Sequence, residues 1–299
     1  MTDIKPDKIT NKNTDHHHIL RVDCKDQPGL VAAVANCLHK NDCNIEHAAQ
    51  FNDKLSGRFF MRVVFSALSA QTPEDDIAAF IRDFETIGTH FKMDWSANAI
   101  ADKPRTMLMV SKHDHCLHDL LYRWRTDHLP IDITAIVSNH DDARPHAERY
   151  GLPFHVLPVT KDNKKQQEKA LRGLIEDTNT ECVVLARYMQ VLSDDLCNDY
   201  HGRIINIHHS FLPGFKGARP YHQAYERGVK LIGATAHFAT ADLDEGPIID
   251  QQTARVNHSV DAAQMQKMGR DTEAQVLARA IQYYAERRIF ITGNRTVIL

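Results

Sequence analysis

Three side chains in this sequence could carry out chemistry at a carbonyl carbon if the fold brings them together: Asn206, His208 and Asp244. The first two sit in the run Ile204-Ile205-Asn206-Ile207-His208, which is followed by His209 and Ser210 and then broken by Pro213 and Gly214. As a β-strand the run alternates faces, so Asn206 and His208 share one face while Ile205, Ile207 and His209 share the other. His208 and His209 then point apart, which argues against their holding one metal ion together. Asp244 ends the polar loop that follows the strand-like stretch 234–238 and runs into Glu245-Gly246-Pro247. A carboxylate to take a proton, an imidazole to stabilise developing charge and an amide to orient an oxygen are what nucleophilic attack on a carbonyl requires. Each residue also has a plainer use: an Asp before Glu-Gly-Pro caps a turn, and a strand-end His is often simply hydrogen-bonded.

Elements must exist to position them. Residues 19–23 read as a strand, 25–30 as a turn containing Pro28-Gly29, and 31–40 as an amphipathic helix. Strands at 44–51 and 58–66 around a polar turn, a helix at 73–86 and a strand at 93–97 complete a β-α-β-β-α-β order, the ferredoxin-like arrangement. Residues 98–105 lose periodicity and contain Pro104, which marks a linker. Beyond it, apolar runs at 107–110, 133–137, 154–159, 183–186 and 204–207 alternate with helical stretches at 118–125, 142–150, 164–177 and 193–200. Such alternation predicts a doubly wound α/β domain with a mostly parallel sheet. Segments 232–239 and 248–256, a long helix at 262–287 and a hairpin at 290–299 around Gly293-Asn294 extend it. Ligands of such sheets bind beyond the carboxyl ends of the strands, which is where Asn206 and His208 fall.

A chain of 299 residues accommodates two domains, here a polar tail to residue 17, a small domain at 18–98 and a larger one at 105–299. Hydrophobic content of 42%, charged content of 25% and a formal charge of -3 describe a globular protein without the basic surplus that nucleic-acid binding requires. No apolar run approaches the roughly 20 residues of a membrane span, and residues 1–18 lack a signal-peptide core, so a cytoplasmic protein with no membrane partner is expected. Six scattered cysteines without a CxxC pair read as reduced and buried. The 19 histidines show neither HxxxH nor HExxH spacing, so no metal is expected, and His16, His17 and His18 read as part of the solvated tail.

Taken together, Asn206-Ile207-His208, Ser210, Leu212-Pro213, His237-Phe238, Leu243-Asp244 and Gly246-Pro247 resemble the signature of the 10-formyltetrahydrofolate-dependent formyltransferases and their hydrolytic relatives, over roughly residues 105–299. The resemblance implies a formyltransferase fold, with Asn206, His208 and Asp244 as the catalytic amide, imidazole and carboxylate. It implies a folate-binding wall along 183–192, contributed by Met189, Gln190 and Leu192, with Ala239 also touching the substrate. Gln190 stands where the family often carries Arg. Where amine-using members carry a glycine-rich phosphate loop, this chain has Ser111-Lys112-His113-Asp114-His115-Cys116-Leu117, leaving Lys112 as an anion-binding candidate. That segment, the doubled histidine, Gly217-Ala218-Arg219-Pro220-Tyr221 and Gly293-Asn294-Arg295-Thr296 resemble the branch that passes the formyl group to water. The reaction this resemblance implies is hydrolysis of 10-formyltetrahydrofolate to formate and tetrahydrofolate, in control of the one-carbon pool and supply of formate for purine synthesis, with no tightly bound cofactor. Asp244 would activate the water while His208 and Asn206 stabilise the tetrahedral intermediate. His209 is read as a packing residue or one that supports the site from behind, and His237 as either of these, with the structural role preferred.

The opening Asp26-Gln27-Pro28-Gly29-Leu30 with its helix resembles an ACT domain. That implies a regulatory or dimerisation unit with Asp26, Gly29 and Leu30 near a small amino-acid effector, glycine or methionine, in a homodimer or homotetramer. Formyl transfer to an amine, an amino-acid-sensing binding protein and a metal hydrolase are the alternatives.

Overall fold

The computed structural model describes residues 17–68, 73–214 and 220–299, so His16 and the motif residues Gly217, Ala218 and Arg219 lie outside the described residues. The chain divides into two compact units, the first ending at Asp102 and the second running over Lys103–Ile298.

The first unit contains β1 (His17–Lys25), α1 (Leu30–Lys40), β2 (Cys43–Asp53), β3 (Arg58–Ala67), α2 (Pro73–Phe91) and β4 (Asp94–Ala99). The strands form one antiparallel sheet in the order β2-β3-β1-β4, the ferredoxin-like arrangement anticipated from the element order. Helix α1 turns Leu30, Val34, Cys37 and Leu38 inward, the i, i+4, i+7, i+8 spacing of a single face. Gly29, at φ +93°, makes the turn into that helix in a conformation that side chains resist. Phe59, Met61, Val63 and Phe65 alternate off β3 into the same core, where Phe65, Phe80, Phe84 and Trp95 follow one another in ring contact. Each such side chain contributes about 1.5–3 kcal/mol by leaving water. His17 and His18, read from sequence as the end of a polar tail, instead open β1 and pair with Ser66 and Phe65. Strand pairing outweighs local polarity there. Because β4 continues to Ala99, the stretch between the strands shortens to residues 100–104.

The second unit contains β5 (Arg105–Val110), α3 (His115–Arg125), β6 (Asp132–Ser138), α4 (Arg144–Arg149), β7 (Phe154–Val156), α5 (Lys164–Asp177), β8 (Cys182–Leu185), α6 (Asp194–Asp199), β9 (Ile204–His208), α7 (Pro220–Glu226), β10 (Leu231–Phe238), β11 (Ile248–Arg255), α8 (Ala262–Ala285) and the hairpin β12 (Ile289–Thr292) and β13 (Arg295–Ile298). Seven strands form a sheet in the order β11-β10-β9-β8-β5-β6-β7. Strands β5 to β9 are parallel and β10 is antiparallel to both of its neighbours. Successive residues of β5 serve two cores: Met107 and Met109 pack with Val183, Leu185 and Ile204, whereas Leu108 and Val110 pack with Val184, Ile205 and Ile207. A strand buried on both faces needs apolar residues at every position, which is why these runs show no alternation. Helix α7 has no counterpart in the sequence reading, because seven residues after a Pro- and Gly-containing loop give too short a periodic signal. Helix α8 starts at a capping box in which Asp261 and Gln264 satisfy each other's backbone amides.

The chain leaves β5 toward β6 and β7 and later returns to the other side of β5 with β8 and β9. The order therefore reverses between β5 and β8, the position where open α/β sheets form their binding crevice. No helix among the described residues is long and apolar enough to cross a membrane.

Candidate active site

Asn206 and His208 end β9, and β10 runs antiparallel beside it in a register that sets His237 directly opposite Asn206 and Thr235 opposite His208. Cross-strand partners share a face. His237, read from sequence as structural, therefore enters the same cluster: its Nε2 lies 3.2 Å from Asn206 Nδ2 and 3.7 Å from Asp244 Oδ1. Its Nδ1 is 2.9 Å from the Phe238 carbonyl oxygen, which can only accept, so Nδ1 carries the hydrogen. In the neutral ring Nε2 is then the acceptor for the Asn206 amide, which fixes that amide's orientation and leaves its second N–H for another acceptor.

Asp244 reaches the cluster because the loop after β10 folds back on the strand. The Phe238 amide donates to the Pro247 carbonyl at 3.0 Å, closing the loop at its neck. Gly246 lies so close to Phe238 that an added Cβ would fall 1.8 Å from its carbonyl oxygen, so only glycine permits this fold-back. Asp244 itself adopts φ +58°, an unfavourable backbone for a residue with a side chain, which the surrounding contacts maintain. Its Oδ1 lies 3.2 Å from His208 Nδ1. Burial alone would raise the Asp244 pKa, but the hydrogen bond from His208 and the nearby His237 outweigh it and hold the carboxyl well below the ordinary carboxylate range. The other nitrogen of His208, Nε2, is buried and has no hydrogen-bond partner among the described residues. The arrangement is an ionised carboxylate engaging one side of an imidazole whose opposite nitrogen is uncommitted, beside an oriented amide.

These residues line one cavity of about 520 Å³. Met189, Gln190, Leu192 and Ala239 line it too, so every proposed folate-contacting residue faces the same space as Asn206, His208 and Asp244. The wall is anchored by Ser111, whose Oγ accepts from the Met189 amide at 3.0 Å and donates to Asn139 Oδ1 at 2.7 Å. Met189 and Val191 are 52% and 58% exposed, apolar surface that a ligand ring can cover. Lys112 does not line the cavity, whereas its neighbour His113 does. His209 also lines it. Burial, reinforced by the Arg187 charge, brings the His209 pKa down to about 4.

Three further residues of this region were given no site role in the sequence reading. Arg187 and Tyr221 line the cavity, and Glu273 stands behind them, almost fully buried. Glu273 Oε1 accepts from the Tyr221 hydroxyl at 2.7 Å, and its Oε2 lies 2.9 Å from His115 Nε2. Gly269 makes the Tyr221 contact possible, since a Cβ there would lie 1.9 Å from the hydroxyl. Elsewhere, Asp114 Oδ2 lies 3.2 Å from Nε2 of both His118 and His146, a trio with the donor types of a divalent-cation site. All six cysteines are free and buried, and burial pushes the Cys24 and Cys43 thiols up to about 11.

In the first unit Asp26 and Gly29 lie at the turn into α1. Asp26 accepts from Asn52 at 2.8 Å, and its amide donates to the Gly57 carbonyl at 2.9 Å. Leu30 is 2% exposed and packs inward, so of the three effector candidates only Asp26 and Gly29 present surface at this turn.

Residues 104–281 match the Formyl transferase family and residues 18–81 match the ACT domain. A formyltetrahydrofolate deformylase of Corynebacterium sp. (strain P-1) is 46% identical over 282 residues, covering 94% of this chain and 98% of that protein. The crystal structure of a formyltetrahydrofolate deformylase from Burkholderia mallei ATCC 23344 superposes with a TM-score of 0.90 at 49% identity, over 95% of this chain and 99% of that one. The chain belongs to the formyltetrahydrofolate deformylase family. It is, with the other deformylases, a hydrolase. A glycinamide ribonucleotide transformylase from Symbiobacterium toebii is similar over a smaller part, 66% of this chain and 94% of its own, with a TM-score of 0.62 and 28% identity. Transformylase likeness covers 66% of this chain, whereas deformylase likeness covers 95% of it.

Proposed function

We propose that the chain hydrolyses 10-formyltetrahydrofolate to formate and tetrahydrofolate, with residues 105–299 as the catalytic domain and 18–98 as a regulatory and dimerisation domain. One observation carries the reading: an ionised Asp244, held by His208 and His237 next to Asn206, faces the same cavity as Met189, Gln190, Leu192 and Ala239.

Water bound at Asp244 attacks the formyl carbon. The carboxylate orders the water and takes its proton transiently. Because its pKa is held low, the carboxylate does not keep that proton: His208, whose Nδ1–H stays on Asp244, gives the departing nitrogen a proton from Nε2, and the water proton replaces it. The Nε2–H of a protonated His208 and the second amide hydrogen of Asn206 meet the developing oxyanion. A pre-aligned donor of this kind contributes about 3 kcal/mol, or about a hundredfold in rate. Gln190 supplies amide hydrogen bonds, not a charge, to the folate tail.

Formate so released feeds purine synthesis and adjusts the one-carbon pool in the cytoplasm. Glycine or methionine bound near Asp26 and Gly29 tunes the rate, and the ACT-like unit pairs subunits into a dimer or tetramer. The sheet edge at β2, 11 residues long and exposed along most of its length, supports such pairing. An effector that moves neither the rate nor the melting temperature would leave this unit a purely structural role.

The experiment for the central reading is direct. Purified protein incubated with 10-formyltetrahydrofolate and no amine acceptor should release formate stoichiometrically with tetrahydrofolate. Formate appearing only when an amine is added would overturn hydrolysis in favour of transfer.

A further inference from the structure

Arg187 takes no part in the chemistry above, yet its setting is unusual. It follows β8 at the point where the strand order reverses beside β5, and its carbonyl accepts from the Ser111 amide at 3.3 Å across that point. Its backbone is left-handed, φ +64°, a conformation disfavoured for any residue with a Cβ and concentrated at ligand-binding positions. The side chain is only 10% exposed. Within the described residues neither Nε nor Nη1 has a hydrogen-bond partner. The nearest carboxylate, Glu273, forms an ion pair with it, Oε2 3.4 Å from Nε, too long for a hydrogen bond, while its oxygens are hydrogen-bonded to Tyr221 and His115. Buried guanidinium nitrogens are costly to leave unbonded, so such a group is built for an acceptor.

Arg187 lines the cavity that holds Asn206, His208 and Asp244. The His208 and His209 rings lie 5.2 Å apart, and the charge of Arg187 acts on His209 in turn. Hydrolysis adds the water oxygen to the formyl carbon and breaks the carbon–nitrogen bond, whose electron pair stays on nitrogen. One water proton goes to that nitrogen, the other is released, and the formyl group departs as an anionic carboxylate. A neutral group thus becomes an anion close to the ionised Asp244, and in a low-dielectric cavity the two repel. A planar guanidinium fork is the geometric complement of a carboxylate.

We infer that Arg187 forms a small-monocarboxylate subsite in this cavity, which takes formate as it leaves the reacting centre. The inference rests on the deformylation reading for the identity of the anion, but not for its test, which needs no turnover. Carbon-13 formate is titrated into the wild type, Arg187→Leu and Arg187→Lys at fixed ionic strength with chloride as balancing anion, and bound formate is read from its NMR line width. Tetrahydrofolate affinity is measured alongside. The wild type should bind formate saturably and ahead of chloride. Arg187→Leu should lose about tenfold or more in formate affinity and Arg187→Lys less, since a point charge keeps attraction but not the paired hydrogen bonds. Tetrahydrofolate affinity should change less than about threefold, which also reports that the variants are folded. No saturable formate binding by the wild type overturns the inference, as does equal binding by all three proteins. Loss of tetrahydrofolate affinity with formate binding intact would assign Arg187 to the folate's own carboxylates and overturn it too. Formate binding without any deformylase activity would instead sink the functional reading and leave the subsite standing.

Discussion

The two sheets of this protein bury different chemistry on their strands. In the first unit β3 delivers Phe59, Met61, Val63 and Phe65 to a core that also receives Phe80 and Phe84 from α2, and every member of that core is apolar. In the second, neighbouring strands β9 and β10 carry Asn206, His208 and His237 into buried or half-buried positions at their ends, joined by Asp244 from the following loop. Apolar contacts are non-directional, so the first core responds to volume. The polar cluster responds to charge and geometry, because each member satisfies another and removing one leaves its partner buried and unpaired. A shape-preserving change should therefore spare the first region and disable the second, while a volume change should do the reverse.

The largest expected effect is on the packing side. Phe80→Ala removes a fully buried ring and should destabilise the protein by about 3–5 kcal/mol, read by denaturant titration. The turnover number per folded molecule should hold. A loss under about 1 kcal/mol would show that this core relaxes around the gap and would weaken the contrast.

Next comes the shape-preserving change in the cluster. Asp244→Asn keeps volume and removes charge, and turnover should fall about a hundredfold, a barrier increase of about 3 kcal/mol, with little change in the binding of a non-hydrolysable folate analogue. A residue that only capped the loop would tolerate Asn, so near-wild-type turnover would remove Asp244 from the mechanism.

The smallest effect separates the regions by pH. His209 has a folded pKa lowered to about 4 from its ordinary 6.5, so the unfolded chain takes up a proton there before the folded protein does. Stability from this residue is complete above pH 6.5 and declines as the pH falls toward 4, by up to about 1.4 kcal/mol per pH unit. His209→Gln should flatten the melting-temperature profile across this window. A profile as steep as the wild type's would assign the loss to other groups.

Much of this was legible in the residue order. The β-α-β-β-α-β sequence of elements is a matter of local periodicity, and so is the strand–helix alternation after Arg105. The pairing of Asn206 with His208 needed only the two-residue period of a strand. Gly246 followed by Pro247 marked a tight return near Asp244. These features lie in local propensity and short spacings, which a sequence states directly.

What only tertiary structure decided is how distant segments register. His237 joins the cluster because β10 pairs antiparallel with β9 at one particular offset, and a slip of one residue would have turned it to the opposite face. Nothing within 234–238 specifies that offset. Arg187 looked like part of an apolar wall segment, and Glu273 like one polar residue in a long helix. Their meeting at 3.4 Å depends on α8 packing against β9, β10 and β11. His17 and His18 became strand residues because Ser66 and Phe65 offered hydrogen-bonding partners that sequence proximity could not reveal. Local sequence sets which faces exist, and the free energy of packing distant faces together sets which side chains meet.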